Sequence, residues 1–152
     1  MTLTQKETSL LSDLKSQEEL CIEKYRKYGD DASDGALKNL FSDIRKTEES
    51  HLATINKILG GEEVAMPAAA PSAKDAEKSF TPSSCPVEQK QADAYLCRDA
   101  LAMEKHVSSV YDVSVFEFKN PVLRDTLAHI QKEEQNHGAS LYSYLAANGQ
   151  YS

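Results

Sequence analysis

"TEESHL", residues 47–52, sets Glu48 and His51 three positions apart. "EEQNHG", residues 133–138, repeats that spacing with Glu134 and His137, an offset of 134 − 48 = 86. In a helix, residues three apart share a face, so each stretch offers one carboxylate and one imidazole in one direction. The reading of the chain turns on whether both directions converge.

Both pairs lie within apolar stripes of helical period. One stripe runs Leu11, Leu14, Glu18, Cys21, Tyr25, and the next Leu37, Phe41, Ile44, Glu48, His51, Ile55, Ile58. A third runs Ala100, Glu104, Val107, Tyr111, Val115, Phe118, and a fourth Leu123, Leu127, Ile130, Glu134, His137, Leu141, Tyr144. Steps of three and four define the inward faces of four helices, each roughly 24–28 residues or 36–42 Å long. "GDDASDG" breaks the first pair, "ILGG" supplies a glycine stop, and "KNP" puts Pro121 at a helix start.

The remaining stretch, residues 60–86, holds four of the five prolines and has no sustained period. It reads as a linker between a helical hairpin at 3–59 and a second at 87–147. Roughly 27 residues suffice to cross from one end of a bundle to the other. The expected fold is therefore all-α: a single antiparallel four-helix bundle with a long crossover between helices two and three.

Sliding the chain by 86 superposes Glu18 on Glu104, Tyr25 on Tyr111, Leu37 on Leu123, Ile44 on Ile130 and Lys46 on Lys132. The chain reads as two copies of one hairpin about a pseudo-two-fold axis. Glu18, Glu48, Glu104 and Glu134 thus fall on inward faces. A carboxylate that loses water without a partner costs several kcal/mol or becomes protonated, and four together repel one another. Two divalent cations about 3.5–4 Å apart resolve this, because four carboxylates offset four positive charges and two imidazoles complete the coordination. One Glu from each of two helices, with Glu-x-x-His from the other two, is a di-iron or di-manganese ligand set.

Composition narrows the rest. A net charge of −7 on 152 residues argues against a nucleic-acid surface or a basic membrane face. No apolar run approaches the roughly 18–20 residues of a membrane span, and "MTLTQKETSL" has no apolar signal-peptide core. Three cysteines without a C-x-x-C fit a reducing, cytoplasmic setting. Cys21 and Cys97 read as small apolar residues, and Cys85 lies in the linker. His106 and His129 fall off the stripes and are expected to be exposed, as are Glu19 and Glu49. No proton-relay or substrate-pocket motif is legible.

The doubled E-x6-Y … E-x-x-H pattern resembles the ferritin-like superfamily, which includes bacterioferritin, rubrerythrin and manganese catalase. Within the second half, "DALAMEKHVSSVYDV", "KNPVLRDTL" and "YLAANGQY" resemble the Coat F family of spore coat proteins. The first resemblance implies Glu18 and Glu104 as terminal ligands, Glu48 and Glu134 as bridging ligands, and His51 and His137 as one ligand to each metal. It implies Tyr25 and Tyr111 as tyrosines bonded to ligand carboxylates. Two iron ions are the implied cofactor, with two manganese ions as the alternative. The chemistry implied is oxidation of Fe(II) by O2 or peroxide, or removal of peroxide, with an unidentified electron donor and a homodimer as further partners.

Departures limit that resemblance. Many relatives carry an Asp before the Glu of Glu-x-x-His to orient the histidine of the opposite hairpin; here those positions are Thr47 and Glu133. Glu133 suits that task for His51 better than Thr47 does for His137. Val107 stands where rubrerythrin has a further Glu, and the cysteines are too few for a rubredoxin module. The Coat F resemblance implies the alternative: a structural spore-coat protein with a vestigial or stabilising metal site.

Overall fold

Thr4 fixes where the first helix begins. Its hydroxyl accepts the Glu7 amide, and the Glu7 carboxylate accepts the Thr4 amide, a reciprocal capping box. In the computed structural model, which describes residues 1–72, 74 and 77–151, four helices follow: α1 (Gln5–Asp31), α2 (Gly35–Leu59), α3 (Val87–Val115) and α4 (Pro121–Ala147). No strand occurs among the described residues. The capping box places the start of α1 two residues beyond the expected position 3. "GDDASDG" breaks the chain more narrowly than its glycine and aspartates suggest, because α1 continues through Gly29 and Asp30 to Asp31.

Each later boundary has its own cause. Asp34 and Asn120 cap α2 and α4 by accepting the amides of Ala36 and Val122, and Pro121 occupies the first turn of α4. Beyond α2, Gly61 takes φ +80°, a left-handed conformation that glycine adopts without a Cβ clash. The third stripe outruns its helix: α3 ends at Val115, and Phe118 is buried from the following connection.

Helix α1 packs on α2 and α3 on α4, with further contact between α1 and α3 and between α2 and α4. The stripe residues form the core, where Tyr25 meets Phe41 at 5.8 Å between ring centroids. Linker residues lie against the helices: the Pro71 carbonyl accepts from Asn136, Lys78 pairs with Asp43, and Phe80 meets Tyr144 edge-on.

Two buried acids that the motifs did not single out hold the turns. Asp93, on α3, accepts the amides of Ser33 at 2.8 Å and Asp34 at 2.9 Å, pinning the α1–α2 connection. Glu7, on α1, accepts the Lys119 amide at 3.3 Å in the α3–α4 connection. Glu7 and Asp93 are 86 positions apart, as are Ser33 and Lys119, so the repeat extends to the clamps. The Thr4 amide, foremost, holds the Glu7 carboxyl below its ordinary range.

Asp93→Ala leaves two backbone donors without their charge-assisted partner. The variant is expected to lose about 3 kcal/mol of stability. Urea unfolding should show a lower midpoint at unchanged slope. An unchanged midpoint would mean that the clamp contributes nothing.

Candidate metal centre

The four inward glutamates and two histidines meet in the middle of the bundle. Glu18 comes from α1, Glu48 and His51 from α2, Glu104 from α3, and Glu134 and His137 from α4. They form two groups, Glu18–Glu48–His51–Glu134 and Glu48–Glu104–Glu134–His137, with ligand atoms in each within 4.8 Å of one another. Glu48 and Glu134 belong to both.

The histidines face the carboxylates with the same ring nitrogen. His51 Nδ1 lies 3.3 Å from Glu48, 3.1 Å from Glu134 and 3.6 Å from Glu18. His137 Nδ1 lies 3.1 Å from Glu48, 3.4 Å from Glu134 and 3.5 Å from Glu104. The two rings stack with centroids 6.2 Å apart.

Three carboxylate oxygens in this cluster, Oε2 of Glu18, Glu104 and Glu134, are buried without a hydrogen-bond partner. Buried polar atoms are rarely left so, because each forfeits its hydration. Three orphaned oxygens on three of the four carboxylates, with two imidazole nitrogens beside them, match the hard-oxygen and nitrogen donor set of divalent iron or manganese. The residues fit such a centre.

Protons carry the charge balance in the chain alone. Burial, and then a hydrogen bond with Glu48, raises the Glu18 carboxyl to about 8. Burial, followed by the charge of Glu104, holds Glu134 well above the ordinary carboxylate range. Burial also opposes ionisation of Glu48, but bonds with Glu18 and both histidines outweigh it and hold Glu48 low. Burial opposes charge on the imidazoles too. Bonds to the surrounding glutamates win, and both histidines are held well above their usual range.

Tyrosines reach the cluster across the α1–α3 contact. Tyr25 Oη donates to Glu104 at 2.5 Å, and Tyr111 Oη donates to Glu18 at 2.6 Å. Each tyrosine lies two turns from the glutamate of its own helix yet bonds the glutamate of the other. Burial, chiefly, raises both phenols well above their usual range, so they remain donors.

The support of the histidines is unequal. Glu133 lies 3.2 Å from His51 Nε2 and also 2.9 Å from His129. His129, expected to be exposed, is half-buried by that contact. Thr47 bonds the Asp43 carbonyl one turn back, and so does not support His137, which is 11% exposed against 3% for His51. Glu19, Glu49 and His106 are exposed. Cys21 and Cys97 are buried, with burial raising both thiols, Cys97 to about 12, while Cys85 is half-buried.

Comparison with known proteins bears on the second half of this centre. Residues 92–152 match the Coat F domain. The match spans most of α3 and all of α4, and so contains Glu104, Tyr111, Glu134 and His137 but not Glu18, Glu48 or His51. No curated protein and no solved structure matches the chain. No helix among the described residues is long and apolar enough to cross a membrane.

Proposed function

We propose that the chain is a spore-coat-type protein whose helices form a ferritin-like bundle around a dinuclear metal site. The observation that carries the site is the pair of four-ligand groups sharing Glu48 and Glu134, with three buried oxygens unpartnered. Coat F likeness over residues 92–152 supports the coat role, and favours the spore coat over the cytoplasm as its place.

The finer architecture rests on matched contacts. Glu7 to Lys119 and Asp93 to Ser33 recur at the repeat offset, as do Tyr25 to Glu104 and Tyr111 to Glu18. Such reciprocity supports a pseudo-two-fold pair of antiparallel hairpins. Val64 shares a cavity wall with Ile130, and the Ser83 amide donates to Asn148, which supports a crossover along α4.

In this reading Glu18, Glu48 and His51 with Glu134, and Glu104, Glu134 and His137 with Glu48, would hold the two ions. Tyr25, Tyr111 and Glu133 orient ligands, which lowers the cost of assembling them. Two iron ions, or two manganese ions, would offset the buried carboxylates and stiffen the bundle. A coat protein needs no more than that.

Metal content tests the site. Reconstitution with Fe(II) or Mn(II) should give about two ions per chain, and fewer than about one would sink the dinuclear reading.

Proton release provides a second, pH-dependent check. Glu18, Glu134, His51 and His137 are all held above their ordinary ranges, so near neutral pH the metal-free chain keeps protons that ligation must expel. The metal-bound state therefore binds fewer protons, and affinity should rise with pH as these ligands ionise, Glu18 doing so at about 8. Loading in weak buffer at pH 7 should release protons, that of Glu18 among them, read with an indicator dye. Release of none would show ligands already free.

A second reading adds redox chemistry. A cavity of about 770 Å³ reaches Glu104 and Glu134 from outside the bundle, which would admit O2 or peroxide. Bound iron would supply electrons to that oxidant, while this chain's residues fix the ligands. Oxidation of Fe(II) by the loaded protein no faster than in buffer would leave the coat role alone.

A further inference from the structure

The same cavity is larger than a diatomic gas or peroxide needs, and the repeat shows how it arises. It lies along α3 and α4 under Lys74 and Glu77 of the linker, with Leu101, Ser108 and Gly138 in its wall and the buried Glu104 and Glu134 also lining it. In the first hairpin the equivalent positions, 86 residues earlier, hold Lys15, Ile22 and Leu52. There Ile22 is buried, Leu52 is half-buried, and Lys15 lies 3.9 Å from Glu19. The second hairpin replaces two branched apolar side chains by a hydroxymethyl group and a hydrogen atom. The space those side chains occupy in one half is open in the other.

Gly138 is the telling residue. It lies inside α4, where glycine is the poorest helix former after proline. A Cβ added there would meet only Leu101 Cδ1, at an ordinary 3.6 Å. Helix packing therefore gives no reason for the glycine, and keeping the groove open does.

The rim supplies the chemistry. Tyr142 and Tyr151 meet edge-to-face at 5.1 Å, and the Lys105 ammonium sits 5.8 Å from the Tyr151 ring centroid. Lys105 replaces Glu19 of the first hairpin, and among the described residues no carboxylate pairs with it. The inner end is set by buried Glu104 and Glu134, whose Oε2 atoms accept no hydrogen bond. At the mouth Lys74 and Lys105 stand with a single carboxylate, Glu77, so cationic groups outnumber anionic ones there. The volume lies in the range of small-molecule pockets, about 300–1,000 Å³.

We propose that the α3–α4 groove binds an amphipathic carboxylate of medium chain length, its apolar body along Leu101 and Gly138 and its carboxylate at Lys105. The inference extends the metal reading only at the inner end, where the chain terminus would lie beside the centre.

Calorimetric titration of the whole chain with decanoate, and with decanol for comparison, tests this with and without bound metal. Saturable binding of one decanoate per chain is expected, with decanol at least about tenfold weaker. Lys105→Glu should weaken decanoate by about tenfold or more and leave decanol unchanged. Gly138→Leu with Ser108→Ile, which restores the residues of the first hairpin, should abolish binding of both while helicity and metal content persist. Gly138→Ala, whose Cβ fits, should fold at least as well as the parent and bind decanoate more weakly.

Absence of saturable decanoate binding, affinity indifferent to filling Gly138, or decanol binding as tightly as decanoate would each overturn the proposal. Metal content is read separately, so a chain that takes decanoate but no metal would refute the dinuclear site and leave the groove standing.

Discussion

Chelation of the metal-loaded protein is expected to lower its melting temperature by roughly 15–30 °C. The effect is mass action: an ion that binds only the folded chain stabilises it by about 4 kcal/mol per site when free metal is a thousandfold above Kd. Two sites double that, and a domain of this size shifts roughly 2–4 °C per kcal/mol. The large value reflects what the chain holds at its centre without metal, namely buried carboxylate oxygens lacking partners and imidazoles charged by neighbouring glutamates. Scanning calorimetry with and without a chelator, at fixed pH, reads the shift. Coincident melting curves at saturating metal would remove the proposed stabilising role.

Much of this buried cluster was legible because its residues break a pattern. Glu18, Glu48, Glu104 and Glu134 stand where the period demands apolar side chains, and the 86-residue offset ties them together. Asp93 and Glu7 obey the same offset but differ in type, and neither is followed by a histidine or tyrosine at a telling interval. Their clamping role depends on which turn faces which helix end, and that is a tertiary fact. The tyrosines show the same boundary. Seven residues separate Tyr25 from Glu18 along one helix, but its hydroxyl reaches across to Glu104. His129 departs from its expected exposure because position off the stripe says nothing of a neighbour such as Glu133. Gly138 and Ser108 could have been found by setting Leu52 and Ile22 beside them; an alignment that scores matches passes over such losses of bulk.

Glu48→Gln combined with Glu134→Gln should leave less than about one tenth of the parent metal content, because carboxamides neither bridge nor neutralise two divalent ions. The substitution keeps side-chain volume, so no cavity accompanies the loss. Its effect on the metal-free chain separates ligation from folding. Burial holds the Glu134 carboxyl well above the ordinary carboxylate range, so its replacement by a neutral amide of like shape changes less than replacement of a carboxylate held low. Glu48 is held ionised against both imidazoles, and its loss leaves His51 with Glu18, Glu133 and Glu134 positions nearby and His137 with Glu104. The histidines can answer by releasing protons, which limits the net cost to about 1–2 kcal/mol, well below the penalty for an unpaired buried charge. Metal analysis and urea unfolding on one preparation therefore give two separable readings. Metal lost with the metal-free stability nearly unchanged marks Glu48 and Glu134 as ligands; metal retained at the parent level assigns their burial to the bundle itself.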